Sequence, residues 1–294
     1  LETDGQTLVV ESVRLLPDNC TPGTMSGKIT NAVTGDNMSG VYMWSANGLD
    51  KKWRGHNRGY SFFSYIGNGA WSLFKNAGWY TILSYKSGYY YAYQNVFACG
   101  DQSDQNNSMS EILNPGEMRI ILKWPKTNPV TGEDLDSHLQ IPDNANSTFH
   151  VMYSLTKKKY YYATDNYTCP SCSIDQLSDN VTIDKDSQLT PGDETITISK
   201  VRSGTYSFSV HNITNRDNSS ITNLRQSGAK VKVIYCPVGA DCSNEESVIR
   251  KKFHAPNKKG TLWRVFTFNS SDSGGSGFTR VRKMTYQKTP ADVY

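Results

Sequence analysis

No run in this chain approaches the roughly 18 consecutive apolar residues of a membrane-spanning helix, and no apolar stripe of helical period extends beyond two turns without an equally good strand reading. The P-loop, the dinucleotide fingerprint and the nucleophile elbow are missing, so nucleotide-dependent and serine-hydrolase chemistry have no motif to rest on. Charge of one sign is also missing: 31 Lys and Arg against 27 Asp and Glu leave +4 over 294 residues. The basic clusters Lys157-Lys158-Lys159, Arg250-Lys251-Lys252 and Lys258-Lys259 are scattered. They read first as solvated faces and second as a site for an anionic polymer. Neither a nucleic-acid partner nor a membrane span is expected.

What is present is β-strand grammar. Short runs rich in Val, Ile, Thr, Tyr and Phe, such as Thr195-Ile196-Thr197-Ile198, Thr205 to Val210 and Lys230 to Tyr235, alternate between faces and are separated by Gly, Pro, Asn and Asp clusters. The pattern divides near Asn114-Pro115-Gly116, where a polar stretch gives way to a strand over Met118 to Trp124. The expected fold class is all-β: two tandem antiparallel β-sandwich domains, residues 20–114 and 115–294, preceded by an extended N-terminal strand arm, residues 1–19.

Asn-x-Ser/Thr triplets are abundant. They occur at Asn19, Asn37, Asn106, Asn146, Asn166, Asn180, Asn212, Asn218 and Asn269, none with proline in the middle. Random placement of the same residues would give about half as many, and N-glycan acceptors belong on exposed positions of secreted proteins. With 6 cysteines, an even number, and a first residue that is Leu1 rather than Met, the chain reads as a processed, disulfide-bearing extracellular glycoprotein.

The stretch Gly23 to Gly40 (GTMSGKITNAVTGDNMSG), followed by Val41-Tyr42-Met43, resembles the opening of the carboxypeptidase regulatory-like sandwich of transthyretin type. Gly59-Tyr60-Ser61-Phe62, Gly78-Trp79-Tyr80-Thr81-Ile82 and Lys86-Ser87-Gly88-Tyr89 resemble that family's later strands. The resemblance implies a seven-strand sandwich acting as a rigid spacer or folding partner, and it carries over no catalytic residue. The second half is similar to a YfaP-like domain of unknown function. The matching segments are Met118 to Trp124, Asp134-Leu135-Asp136-Ser137-His138-Leu139, Phe149-His150-Val151, Ile183 to Asp186, Pro191 to Ile198, Gly204-Thr205-Tyr206 and Val210-His211-Asn212. It departs from that pattern by cysteine-bearing insertions around Lys157 to Leu177 and Gly239 to Glu246.

Cys20 and Cys99 bracket the first domain, and joining them would restrict the unfolded chain by about 4 to 5 kcal/mol in the loop-entropy account. Cys169 with Cys172 and Cys236 with Cys242 lie in the two insertions. Structural disulfides lead over zinc and redox readings, because a redox pair wants a following helix and these sit in polar turns. Whether the two close pairs cross-connect stays open. Asp134, Asp136, Asp184, Asp186, Asp193 and Glu194 fall in two short motifs at strand ends, and carboxylate oxygens gathered in loops are what Ca²⁺ takes as ligands. The competing reading is that they cap turns and bond backbone amides. A glycosidase or peptidase built on Asp136, His138 and Asp184 ranks last. His138, His150 and His211 fall in strand patterns and read as framework histidines ahead of a zinc site.

The 18 tyrosines include the runs Tyr89-Tyr90-Tyr91-Ala92-Tyr93 and Tyr160-Tyr161-Tyr162, so some rings are expected to face outward, toward glycans or a protein interface. Before the first recognised strand, Val9, Val13 and Leu15 alternate with Leu8, Val10 and Leu16, making the arm apolar on both faces. Such a segment wants burial on both sides, either in its own chain or by strand addition to another copy. Head-to-tail repetition of that contact builds a filament. The expected function is therefore a non-enzymatic subunit of an extracellular filament or surface coat, with copies of itself as partner. The alternative is a monomeric adhesion or carbohydrate-binding module carrying Ca²⁺ in its acidic loops.

Overall fold

Alternating apolar side chains leave each strand a face to bury, and the first seven strands bury theirs against each other. The computed structural model describes residues 19–53, 59–124, 133–143, 147–153, 158–164, 166–188, 191–271 and 277–294. β1 (Gly23–Asn31), β4 (Ala70–Lys75) and β7 (Asn107–Met109) form one sheet in the order β4-β1-β7. β2 (Val41–Asn47), β3 (Tyr60–Ile66), β5 (Gly78–Tyr85) and β6 (Ala92–Ala98) form the other, β3-β2-β5-β6. Between them lie Met25, Ile29, Met43, Trp71, Ile82 and Val96. A Cβ at Gly27 would stand 2.3 Å from the carbonyl oxygen of Gln105, so only glycine lets β1 approach the loop that leads into β7. The Cys20–Cys99 disulfide ties the start of this sandwich to its sixth strand.

The second sandwich has a six-stranded and a five-stranded sheet. The first contains β8 (Met118–Trp124), β11 (Lys159–Tyr161), β12 (Asn180–Lys185), β13 (Gly192–Ile198), β15 (Lys230–Tyr235) and β16 (Ile249–His254), in the order β11-β12-β13-β8-β15-β16. The second contains β9 (Leu135–Pro142), β10 (Thr148–Met152), β14 (Thr205–Asn212), β17 (Leu262–Asn269) and β18 (Phe278–Thr285), in the order β10-β9-β14-β17-β18. Trp124, Leu139, Ile196, Phe208, Trp263 and Phe266 fill the space between, and the Trp124 indole donates to the Glu133 carbonyl at 3.0 Å. The helices among the described residues are short: α1 (Ile174–Ser178), α2 (Asn223–Gln226) and a single 3₁₀ turn. None is long and apolar enough to cross a membrane. The fold is all-β, as the alternation implies.

β8 reads MRIILKW and is buried along most of both faces. One face, with Met118, Ile120, Leu122 and Trp124, enters the core. The other, with Arg119, Ile121 and Lys123, turns toward the first sandwich. There Thr195 Oγ1 donates to the Ala32 carbonyl at 2.6 Å, and Arg119 binds Glu117, Thr197 and Ser110. A small apolar cluster of Tyr90, Leu113, Cys236, Cys242 and Val248 closes the junction. The insertion carrying Cys236 and Cys242, a disulfide in the structure, thus packs against the first sandwich. Cys169 and Cys172 form the third bridge, so the close pairs do not cross-connect.

The tyrosine runs depart from expectation. Tyr90, Tyr160 and Tyr162 are buried and their neighbours half-buried, because Arg250 covers Tyr90 at 4.7 Å and the Tyr160 hydroxyl is drawn in by the Met152 carbonyl at 2.8 Å. The outward rings are instead Tyr42, Phe62, Tyr65, Phe74, Tyr167 and Tyr286. The arm residues Leu8, Val9, Val10, Val13, Leu15 and Leu16 lie outside the described residues.

Candidate metal centre

Four of the six acidic residues singled out in the sequence converge. Asp134 comes from just before β9, Asp136 from its start, Asp186 from just past β12, and Glu194 from the inward face of β13. Asp136, Asp186 and Glu194 each place a carboxylate oxygen within 4.8 Å of the others. Oxygens on opposite sides of a Ca²⁺ ion with bonds of about 2.4 Å are about 4.8 Å apart, so the cluster has the span of a calcium shell. The Ser137 amide donates to Glu194 Oε2 at 2.7 Å and fixes that side chain, while the Asp134 amide donates to Thr214 Oγ1 at 2.9 Å and fixes the entry to β9.

Among the described residues no donor bonds Glu194 Oε1, Asp186 Oδ1 or Asp134 Oδ1, all buried. Burial first, then the neighbouring Asp134 and Asp186, push Asp136 up to about 7. Burial and Asp186 push Asp134 up to about 6. Burial and Asp136 raise Glu194 well above the ordinary carboxylate range, and burial raises Asp186. A buried carboxylate group of this kind is stable only with protons or a cation among its oxygens.

Asp184 and Asp193 do not join. Asp184 accepts a hydrogen bond from Thr197 Oγ1 on the junction face, and Asp193 pairs with Lys185 at 2.6 Å. Asp193 and Glu194 are adjacent on β13, so the pleat sends them to opposite faces. The Asp136, His138 and Asp184 set is likewise split, since Asp184 faces away from the carboxylate cluster.

The histidines meet, which the sequence reading missed. His138 Nδ1 lies 2.9 Å from His150 Nε2, His211 packs edge-on against His138 at 5.6 Å, and the Tyr294 hydroxyl lies 2.8 Å from the His138 carbonyl. Their positions on β9, β10 and β14 are diagonal neighbours in the ladder, a relation set by strand pairing. Burial is the first cause lowering all three, with His150 at about 4. Burial thus favours the neutral imidazole at each.

Asn19, Asn37, Asn166, Asn218 and Asn269 are exposed and Asn106 is half-buried, while Asn146 lies outside the described residues. Asn180 and Asn212 depart from the expected exposure. The Asn180 amide donates to the carbonyls of Leu177 and Ser178, and Asn212 Oδ1 receives the Asn215 amide. Glycopeptide mass spectrometry should find no glycan at Asn180 or Asn212; a glycan on either buried side chain would contradict the packing of β12 or β14.

No protein-family profile and no curated protein sequence matches this chain. Among solved structures, a protein of unknown function, SAV2460, is similar over 58% of this chain and 92% of its own, at 15% identity and TM-score 0.35. A DUF3823 family protein from Parabacteroides merdae is similar over 66% of this chain and 91% of its own, at 11% identity and TM-score 0.25. BcpA, the major pilin subunit of Bacillus cereus, is similar over 89% of this chain and 93% of its own, at 12% identity and TM-score 0.25.

Proposed function

We propose that this chain is a non-enzymatic, secreted structural glycoprotein whose second sandwich is clamped by one Ca²⁺ ion held by Asp136, Asp186 and Glu194, with Asp134 beside them. The supporting observation is the convergence of these carboxylates, whose buried oxygens no donor among the described residues bonds. The ion would join β9 of one sheet to β12 and β13 of the other, across the open end of the sandwich. It would add structural stability rather than chemistry, because Ca²⁺ here serves as a hard cross-link between oxygens. A thermal melt with and without a chelator tests this directly: calcium should raise the melting temperature near neutral pH.

Assembly into a filament is the second part of the proposal, with copies of the chain as partner. Among the described residues the four-stranded sheet ends in β3, paired there with β2 alone, and β3 carries exposed Phe62 and Tyr65. An edge with unpaired backbone groups can accept a strand. The arm with Leu8, Val9, Val10, Val13, Leu15 and Leu16 supplies an extended apolar one. Removal of residues 1–16 should convert polymers seen by electron microscopy into single molecules; polymers that persist would remove the arm from the proposal.

A further inference from the structure

Two pairs of lysines stand directly opposite one another on the outer face of the six-stranded sheet: Lys232 opposite Lys252, and Lys230 opposite Lys123. Like charges at opposed positions in a sheet are unfavourable, and Lys232 is partly covered by the first sandwich. The nearby carboxylates are mostly engaged: Asp193 with Lys185 at 2.6 Å and Glu245 with Arg250 at 2.8 Å. Asp50 of the first sandwich acts on Lys252 from a distance. Lys232 donates to a neutral acceptor, Asn107 Oδ1, at 3.1 Å. Burial first, and then Lys123, Lys252, Lys230 and Arg250, hold its ammonium well below the ordinary lysine range. The sequence cluster Arg250-Lys251-Lys252 therefore does not simply face solvent: part of it faces the other sandwich.

A cavity of about 70 Å³ opens at this place, with Tyr91, Tyr93, Ser108, Lys232, Arg250 and Lys252 in its wall. It has room for a few waters or one small anionic group. A track of rings leads out of it. Tyr91 lies 5.3 Å from Tyr85, Tyr85 lies 6.4 Å from Tyr42, and Tyr42 lies 4.8 Å from Tyr65. The last two are 44% and 59% exposed, so the track begins beside Lys232, Lys252 and Arg250 and ends on open surface.

We propose that the cleft and the tyrosine track bind an acidic oligosaccharide, its sulfate or carboxylate seated against Lys232, Arg250 and Lys252 and its sugar rings lying over Tyr85, Tyr42 and Tyr65. The cations supply charge complementarity and charge-assisted hydrogen bonds. Flat amphipathic rings offer a stacking surface with polar rims, which suits a pyranose better than an aliphatic patch would. Single-stranded nucleic acid also combines negative charge with stacking faces, but its backbone charges repeat along the strand, whereas the cations here gather at one end of the track. The site is separate from the calcium cluster, so either can fail alone.

Calorimetry on the full chain, with Ca²⁺ present throughout, tests the site. The probes are a sulfated tetrasaccharide, a non-sulfated uronate tetrasaccharide, a neutral tetrasaccharide and a single-stranded oligonucleotide. At least one acidic sugar should bind about tenfold or more tighter than the neutral one, and comparison of the two identifies which anion the cleft prefers. Lys232→Met should lose about tenfold in that affinity. The exposed variant Lys252→Met supplies the same test if Lys232→Met fails to fold. Tyr65→Ala should weaken the tetrasaccharide and leave inorganic sulfate unaffected. Equal affinity for neutral and acidic sugars, tighter binding of the oligonucleotide, or native affinity in the folded lysine variants would overturn the proposal.

Discussion

Calcium should raise the melting temperature of this protein near neutral pH and do almost nothing near pH 5. In the metal-free state Asp136 titrates at about 7 and Asp134 at about 6, both pushed up first by burial. Their unfolded values lie near 4. A raised folded pKa means that the native state holds protons the unfolded chain has released. Metal-free stability from these groups is therefore full below about pH 4 and is lost as pH rises through about 6 to 7. The histidines act in the opposite sense, because His150 is held down at about 4. Their contribution is present above about pH 6.5 and falls away as pH drops below it. Both effects exist in the metal-free protein, but only the carboxylates are altered by Ca²⁺, so the difference between melts with and without calcium isolates them.

The size of the calcium effect follows from linkage. If the affinity lies in the millimolar to tenth-millimolar range of extracellular sites, about 10 mM Ca²⁺ stabilises by about 1.4 to 2.7 kcal/mol near neutral pH. Each displaced proton weakens the affinity by about tenfold per pH unit below the pKa of the group that held it. Glu194→Gln and Asp136→Asn should remove the response, whereas Asp193→Asn should keep it, since Asp193 belongs to Lys185. Equal calcium shifts at acid and neutral pH would exclude these carboxylates as the ligands.

Arg119→Ala should destabilise the protein by about 3 to 5 kcal/mol, because it strands a buried carboxylate. Arg119 and Glu117 are each less than one-tenth exposed and pair at 3.0 Å. The guanidinium also donates to Thr197 Oγ1 at 3.0 Å and Ser110 Oγ at 2.7 Å, and Glu117 Oε2 accepts the Asn114 amide at 2.9 Å. One ion pair thus fastens the turn between the sandwiches to β8 and to the segment after β7. Replacing both partners by apolar residues, Arg119→Met with Glu117→Leu, should recover much of the loss, since the cost lies mainly in the unpaired charge. Denaturant unfolding followed by tryptophan fluorescence measures both variants. A loss under about 1 kcal/mol for Arg119→Ala alone would show that the junction does not depend on this pair.

The strands were largely legible because their pattern is local. Met118 to Trp124 and Lys230 to Tyr235 coincide with β8 and β15, and Thr195 to Ile198 lies inside β13. The turn at Asn114-Pro115-Gly116 lies where sheet membership changes. The metal cluster was legible in composition and only partly in membership. Strict alternation already forbids Asp193 and Glu194 from reaching one ion. Asp184 and Asp186 share a parity, but the register shift after Ile183 breaks it. The histidine cluster, the covered tyrosine runs and the opposed lysines depend on which strands pair and which sheet faces which. Those relations join residues far apart in the chain, and no local period encodes them.

Equilibrium dialysis against Ca²⁺ at about pH 7.5, with native chain and Glu194→Gln side by side after chelator treatment, tests the calcium clamp most directly. A single ion should be retained per native chain and none by the variant at the same free calcium. Native protein that retains no calcium at millimolar concentration, or a folded Glu194→Gln variant that retains as much, would contradict the account.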